Sequence, residues 1–228
     1  MKQIIVALCA LLPVLGMAQN TFMTEGNMTL TDFNGKPIFP KSEYQLDGTP
    51  YFNEQYCTAR IKVLNGKKYE DMPVKLNLQD NRIIYRHPNG NEMEATTPIE
   101  SVEFTGCQVK GITPLFRSGF PAIDEQDKNT FYQVLQAGNS QLLKLWRIIY
   151  TDQKPYSSAT IVRKFETVYL YYAYSPEKGM IKLSKGNETA LKFMSDKNEK
   201  ITRFANDQNL RLKKEEDLVK LFAFYNAL

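Results

Sequence analysis

Between Cys57 and Leu183 the chain is punctuated by turn formers: Asn65-Gly66, Asp80-Asn81, Pro88-Asn89-Gly90, Ala137-Gly138-Asn139 and Pro176-Glu177-Lys178-Gly179. Asn-Gly between two apolar runs is the strongest short-range hairpin signal, because both residues tolerate the positive φ of a tight reversal. The pieces left between the turns have strand length. Residues 58–64, 74–78, 82–86, 91–96 and 99–104 form a first set. In Val74-Lys75-Leu76-Asn77-Leu78 apolar and polar side chains alternate, as they do in a strand with one buried face. This set predicts an antiparallel meander of about five strands.

A passage from Gly106 through Gly119-Phe120-Pro121 interrupts the series, and residues 106–129 read either as a long loop or as a boundary between sub-regions. Strands resume at 130–135, 141–147, 160–175 and 180–183. From residue 184 the period changes to that of a helix. A short helix at 188–194 is expected first. Asp196 and Glu199 have the spacing of a charged capping box, Ile201, Phe204 and Ala205 share a helical face, and Asn209 is a stop signal. The last helix starts near Lys213, sets Glu215, Glu216 and Asp217 where they complement the helix dipole, and aligns Leu218, Leu221, Phe222 and Tyr225. Helices with one apolar face must dock, and the sheet is the available partner. The expected fold is α+β and mostly β. An antiparallel meander over 57–183 forms a curved sheet or partly open barrel, with the C-terminal helices of 184–228 packed on it.

Upstream, Lys2 and an apolar run from Ile4 to Leu15, too short to span a bilayer, end in Gly16-Met17-Ala18. These residues read as an export signal over 1–18, cut after Ala18. A lipoprotein signal would need a cysteine directly after the cut, whereas Cys9 lies inside the apolar run. Residues 19–56, with Gly35, Pro37, Pro40 and Gly48-Thr49-Pro50, read as an irregular, partly extended arm. The expected address is outside the cytoplasm: periplasmic, cell-surface or secreted. Removing the signal leaves 210 of the 228 residues, enough for a core that needs no disulfide framework. Cys57 and Cys107 nevertheless remain as an even pair in an oxidising compartment. Joined, they close a loop worth roughly 4 kcal/mol in the chain-entropy picture; the alternative is two separate buried thiols.

Composition excludes several classes of function. The 29 Lys and Arg are interspersed with 25 Asp and Glu, so no basic footprint for nucleic acid stands out. No later apolar segment reaches the length of a membrane span. His87 is the single histidine, which removes multi-histidine metal sites, and its place before Pro88-Asn89-Gly90 marks it as a turn residue rather than a catalytic base. There is no G-x-S-x-G and no glycine-rich phosphate cradle. No cofactor is implied. Carboxylates remain as a route to glycan hydrolysis. The densest acidic spot is Asp124-Glu125-Gln126-Asp127, where Asp124, Asp127 and Asn129 are also a weak calcium candidate, lacking the Gly and distal Glu of a calcium loop. Along 165–174, Phe165, Tyr169, Tyr171, Tyr172 and Tyr174 put rings on both faces of one strand. One face would pack under the helices while the other either packs too or lines a cavity for a hydrophobic ligand.

The signal ending in Ala18-Gln19, Leu64-Asn65-Gly66-Lys67-Lys68-Tyr69-Glu70 with the following Val74-Lys75-Leu76-Asn77, and the ending Lys214-Glu215-Glu216-Asp217-Leu218 with Tyr225-Asn226 resemble secreted proteins of Bacteroidota-type bacteria that carry no assigned activity. The resemblance implies a cell-envelope setting and transfers no functional residue. The leading expectation is a non-enzymatic exported protein that binds another protein or a surface polymer such as a glycan. A periplasmic carrier of a lipid or other hydrophobic ligand is the alternative, and a carboxylate-dependent glycan hydrolase stands below it.

Overall fold

The computed structural model describes residues 35–37, 44–107, 111–154, 156, 160–184 and 188–228. The export signal expected at 1–18 lies outside the described residues, as do 19–34 and 38–43 of the expected arm.

Strands β1 (Gly35–Pro37), β2 (Tyr44–Asp47), β3 (Cys57–Val63), β4 (Lys68–Asn77), β5 (Arg82–Arg86) and β6 (Glu92–Ala95) precede β7 (Ile99–Glu103) and β8 (Leu115–Arg117). β9 (Tyr132–Gln136), β10 (Gln141–Gln153), β11 (Ile161–Ser175) and β12 (Gly179–Leu183) follow. All belong to one sheet in the order β1-β6-β5-β4-β3-β7-β8-β9-β10-β11-β12, with β2 added to β11. The sheet is open, ending at β1 and β12, and is mostly antiparallel.

The strands make two meanders rather than one. β3 to β6 run outward as successive hairpins, and β7, expected beside β6, instead returns to the far side of β3. Side chains on both faces explain this register. Val102 sits opposite Ile61 on the buried face, while on the other face Arg60 reaches Glu70 on β4 and Glu103 on β7, and Lys62 reaches Glu100. One-residue slippage would turn every buried residue outward. In β4 a bulge sets Glu70 and Asp71 against the single residue Arg60, with Asp71 at φ +52°. The described part of the arm supplies β1, antiparallel to β6, and β2, parallel to β11, so it is more regular than its proline and glycine content suggested.

Cys57, Ala59, Ile61 and Val63 alternate inward along β3 and join Tyr69, Met72, Val74, Leu76, Ile83 and Tyr85 in one core. Burial of each large apolar side chain contributes about 1.5–3 kcal/mol. Phe52 packs against this core, its ring 5.1, 4.8 and 5.2 Å from those of Phe104, Phe116 and Trp146.

The helices are α1 (Glu188–Phe193), α2 (Asn198–Asp207) and α3 (Glu215–Ala227). Leu218, Leu221, Phe222 and Tyr225 of α3 are buried as their spacing predicts, and they pack with Leu142, Ala173 and Leu183 of the sheet. Asn209 adopts φ +49°, the left-handed geometry that stops α2. Asp196 does not act as a cap. It lies in a 3-10 turn, Ser195–Lys197, and its carboxylate accepts from Lys178 Nζ and the Tyr225 hydroxyl; α2 begins without a side-chain cap. A charged partner on the neighbouring hairpin outcompetes the local backbone.

Candidate functional site

Successive residues of β11 face opposite sides, so the five aromatic residues singled out in the sequence divide between the two faces. On the helix-bearing face, Tyr171 packs at the edge of the helical core and donates its hydroxyl to Glu215 Oε2 at 2.8 Å. Lys144 Nζ reaches the same oxygen at 2.7 Å. Burial and then Glu215 push the Tyr171 phenol well above its ordinary range. Tyr169 meets Trp146 edge-on at 5.0 Å, and the Lys144 ammonium lies 4.2 Å from the Tyr169 ring. Phe165 meets Tyr150 at 6.2 Å.

On the other face Tyr172 is buried among Phe120, Tyr132, Leu143 and Leu145, and Tyr174 meets Phe120 edge-on at 5.2 Å. The Tyr172 hydroxyl donates to Asp124 Oδ2 at 3.2 Å. Burial, with Asp124 adding to it, raises its pKa to about 12. The five rings therefore line no common pocket. Beneath the helices Leu142, Ala173, Met194, Ile201, Leu221 and Phe222 pack in one core, each 0 % exposed.

The acidic loop has its own partners. Asp124, at φ +54°, also accepts from Lys182 Nζ at 2.9 Å, and this lysine holds its carboxyl below the usual range. Glu125 pairs with Arg147 at 3.3 Å. Asp127 folds back to accept from the Asn129 N–H at 2.9 Å, from Asn129 Nδ2 at 3.1 Å and from the Thr130 hydroxyl at 3.3 Å, and the Asn129 N–H is the first cause of its lowered pKa. Asp124 thus reaches toward β11 and β12 while Asp127 serves its own loop. Among the described residues no group of three His, Cys, Asp or Glu side chains is placed to hold a metal ion. His87 lies in the β5–β6 turn, its Nδ1 accepting from the Asn89 N–H at 3.3 Å. Cys57 and Cys107 are joined as a disulfide with Cα atoms 5.7 Å apart, fastening the start of β3 to the loop after β7.

A feature not read from the sequence is the arm formed by the outer halves of β10 and β11. β10 was expected to end at Arg147; it continues to Gln153 because β11 pairs with it residue by residue, from Gln141 opposite Tyr174 to Gln153 opposite Val162. β9 accompanies β10 only as far as Lys144. From Trp146 to Gln153, one edge of β10 pairs with no described strand. Along the arm Ile149, Tyr150, Val168 and Tyr169 are 43, 45, 40 and 44 % exposed. The arm is braced at its end, where Arg163 makes a two-pronged contact with Asp152, 2.7 Å at each prong. Its guanidinium lies 4.0 Å from the Tyr44 ring and 4.2 Å from the Tyr150 ring. The run Ile148-Ile149-Tyr150 was the available signal: three β-favouring residues continuing past the expected strand end.

No protein-family model, no curated protein and no solved structure matches this chain.

Proposed function

We propose that the protein is an exported, non-enzymatic binding protein of the cell envelope that holds a partner protein by strand addition along β10. The observation that carries this reading is the braced arm with an edge free of described strands from Trp146 to Gln153 and exposed Ile149, Tyr150, Val168 and Tyr169. A strand edge offers a row of main-chain donors and acceptors, and natural proteins that do not use such an edge blunt it with lysine, proline or a cover. Here the outward apolar side chains add pockets between which alternate partner residues can settle. The Cys57–Cys107 disulfide is in keeping with an oxidising address. No helix among the described residues is long and apolar enough to cross a membrane.

Ile149→Lys tests the reading with little risk to the fold. Residue 149 faces Glu166 across the strand pair, so a lysine gains an opposite charge there while blocking the edge. The expected result is an unchanged melting temperature and loss of the partner that the wild-type protein retains from envelope extracts. Undiminished retention by the variant would contradict the proposal.

A further inference from the structure

A cleft of about 610 Å3 opens where several loops meet: the β4–β5 turn at Asp80 and Arg82, the 96–98 segment after β6, Gly119 after β8, and the 125–130 stretch ahead of β9. That volume falls in the range of small-molecule sites. Its walls are fixed by the protein's own bonds. Asn81, at φ +55°, donates Nδ2 to the Asn129 carbonyl at 2.8 Å and accepts the Phe131 N–H at 2.8 Å. The Gly119 N–H donates to the Lys128 carbonyl at 2.7 Å, and the Leu64 N–H to the Pro98 carbonyl at 3.0 Å. A cleft assembled in advance lowers the ordering cost of binding.

The lining selects the chemistry of the occupant. Most of its charges are already answered within the protein: Arg82 lies 3.5 Å from Glu94, Glu125 lies 3.3 Å from Arg147, and Asp127 accepts from Asn129 and Thr130. Left to a ligand are the hydroxyls of Thr96 and Thr97, the Lys128 ammonium and the Asp80 oxygen that does not accept from Asn77, beside the exposed apolar surface of Leu64 and Pro98. Donors and acceptors thus stand together without a dominant charge, next to a short apolar strip. A neutral polyol whose ring faces are weakly apolar matches that set; a phosphate or sulfate group would meet Asp80, Glu125 and Asp127.

We propose that this cleft binds a short neutral oligosaccharide. The inference goes beyond strand addition at β10 and stands independently of it, since no exposed apolar residue of the arm lines the cleft.

The test is two-dimensional NMR of the purified protein titrated with cellotriose, maltotriose and N,N′,N″-triacetylchitotriose, with a sulfated disaccharide and a neutral tripeptide as comparators. The expected result is saturable shifts centred on Thr96, Thr97, Lys128 and Asn129 with at least one neutral trisaccharide. Affinity should fall about tenfold in the double variant Thr97→Val/Lys128→Ala, which removes two ligand hydrogen bonds. Its melting temperature should be unchanged, because neither side chain bonds to the described protein. Three outcomes would each overturn the proposal: no saturable shift with any of the trisaccharides at millimolar concentration, preference for the sulfated disaccharide or the peptide, or undiminished affinity in the double variant.

Discussion

The side-chain amide of Asn226 pairs with the main chain of Ser140 in both directions: its Oδ1 accepts the Ser140 N–H at 2.9 Å, and its Nδ2 donates to the Ser140 carbonyl at 2.8 Å. One residue near the end of α3 therefore behaves toward the β9–β10 turn like a neighbouring strand, locking the helical layer to the sheet beside Leu142. Ser140 is buried, so these groups have little recourse to water.

Two substitutions probe this lock from its two sides. Asn226→Ala should cost about 1–3 kcal/mol by stranding the Ser140 donor and acceptor. Gly138→Ala should cost a similar amount, about 1–3 kcal/mol, through backbone strain. Gly138 sits at φ +144°, and an added Cβ would lie 2.5 Å from Asn226 Nδ2. Urea denaturation of both variants checks the expectation, and wild-type stability in either would show that the contact is not coupled to the fold.

The acid limb of the stability curve should depend on Asp196. The Lys178 ammonium, and after it the Tyr225 hydroxyl, hold the Asp196 carboxyl below its ordinary value against the opposing effect of burial. A carboxylate whose pKa is lowered by folding supplies stability that is present above its unfolded pKa, about 3.9. That stability is lost as pH falls through the folded value. Asp124, lowered chiefly by Lys182, and Asp127, lowered chiefly by the Asn129 N–H, act in the same direction. Stability should therefore hold steady above about pH 5 and drop below about pH 4. Asp196→Asn should be less stable at neutral pH and show a shallower fall in acid. Parallel pH profiles for variant and wild type would refute this role.

Much of the local structure was legible in the sequence. β5 was read at its observed limits, and β3, β6, β7 and β12 within about one or two residues, because each is a short run bounded by turn residues with clear backbone demands. α3 was legible because Leu218, Leu221, Phe222 and Tyr225 repeat at helical spacing. What lay beyond reach was pairing between distant segments. The return of β7 to β3 depends on Ile61 meeting Val102 and on Arg60 bridging Glu70 and Glu103, none of which leaves a local mark. β2 and β8, four and three residues long, are too short to show a period.

The aromatic strand illustrates the same boundary at the level of the site. Rings on both faces correctly implied cover on both sides where Tyr171 and Tyr172 lie. Farther out, around Val168 and Tyr169, β11 leaves the layered part of the molecule and its side chains are exposed. Only the ends of β9 and β12 decide where that happens. Asp196 was misread for a related reason: its spacing to Glu199 is that of a cap, but Lys178 and Tyr225 come from other elements.

The disulfide makes a separate prediction. Cys57 and Cys107 are 50 residues apart in sequence, and replacing both by alanine should cost roughly 4 kcal/mol on the chain-entropy estimate. Intact mass should rise by two hydrogens on reduction of the denatured protein. An unchanged mass, with both thiols free to alkylation beforehand, would show that the cysteines are not joined.

The central claim, that a partner protein binds along the β10 edge that pairs with no described strand from Trp146 to Gln153, is tested most directly by site-specific photocrosslinking in cells that export the protein. A crosslinking side chain at Ile149 should give a discrete adduct with a protein partner, while the same group at Lys67, on the exposed β3–β4 turn, should give none. Adducts at Lys67 but not at Ile149, or none at either position, would contradict strand addition at this edge.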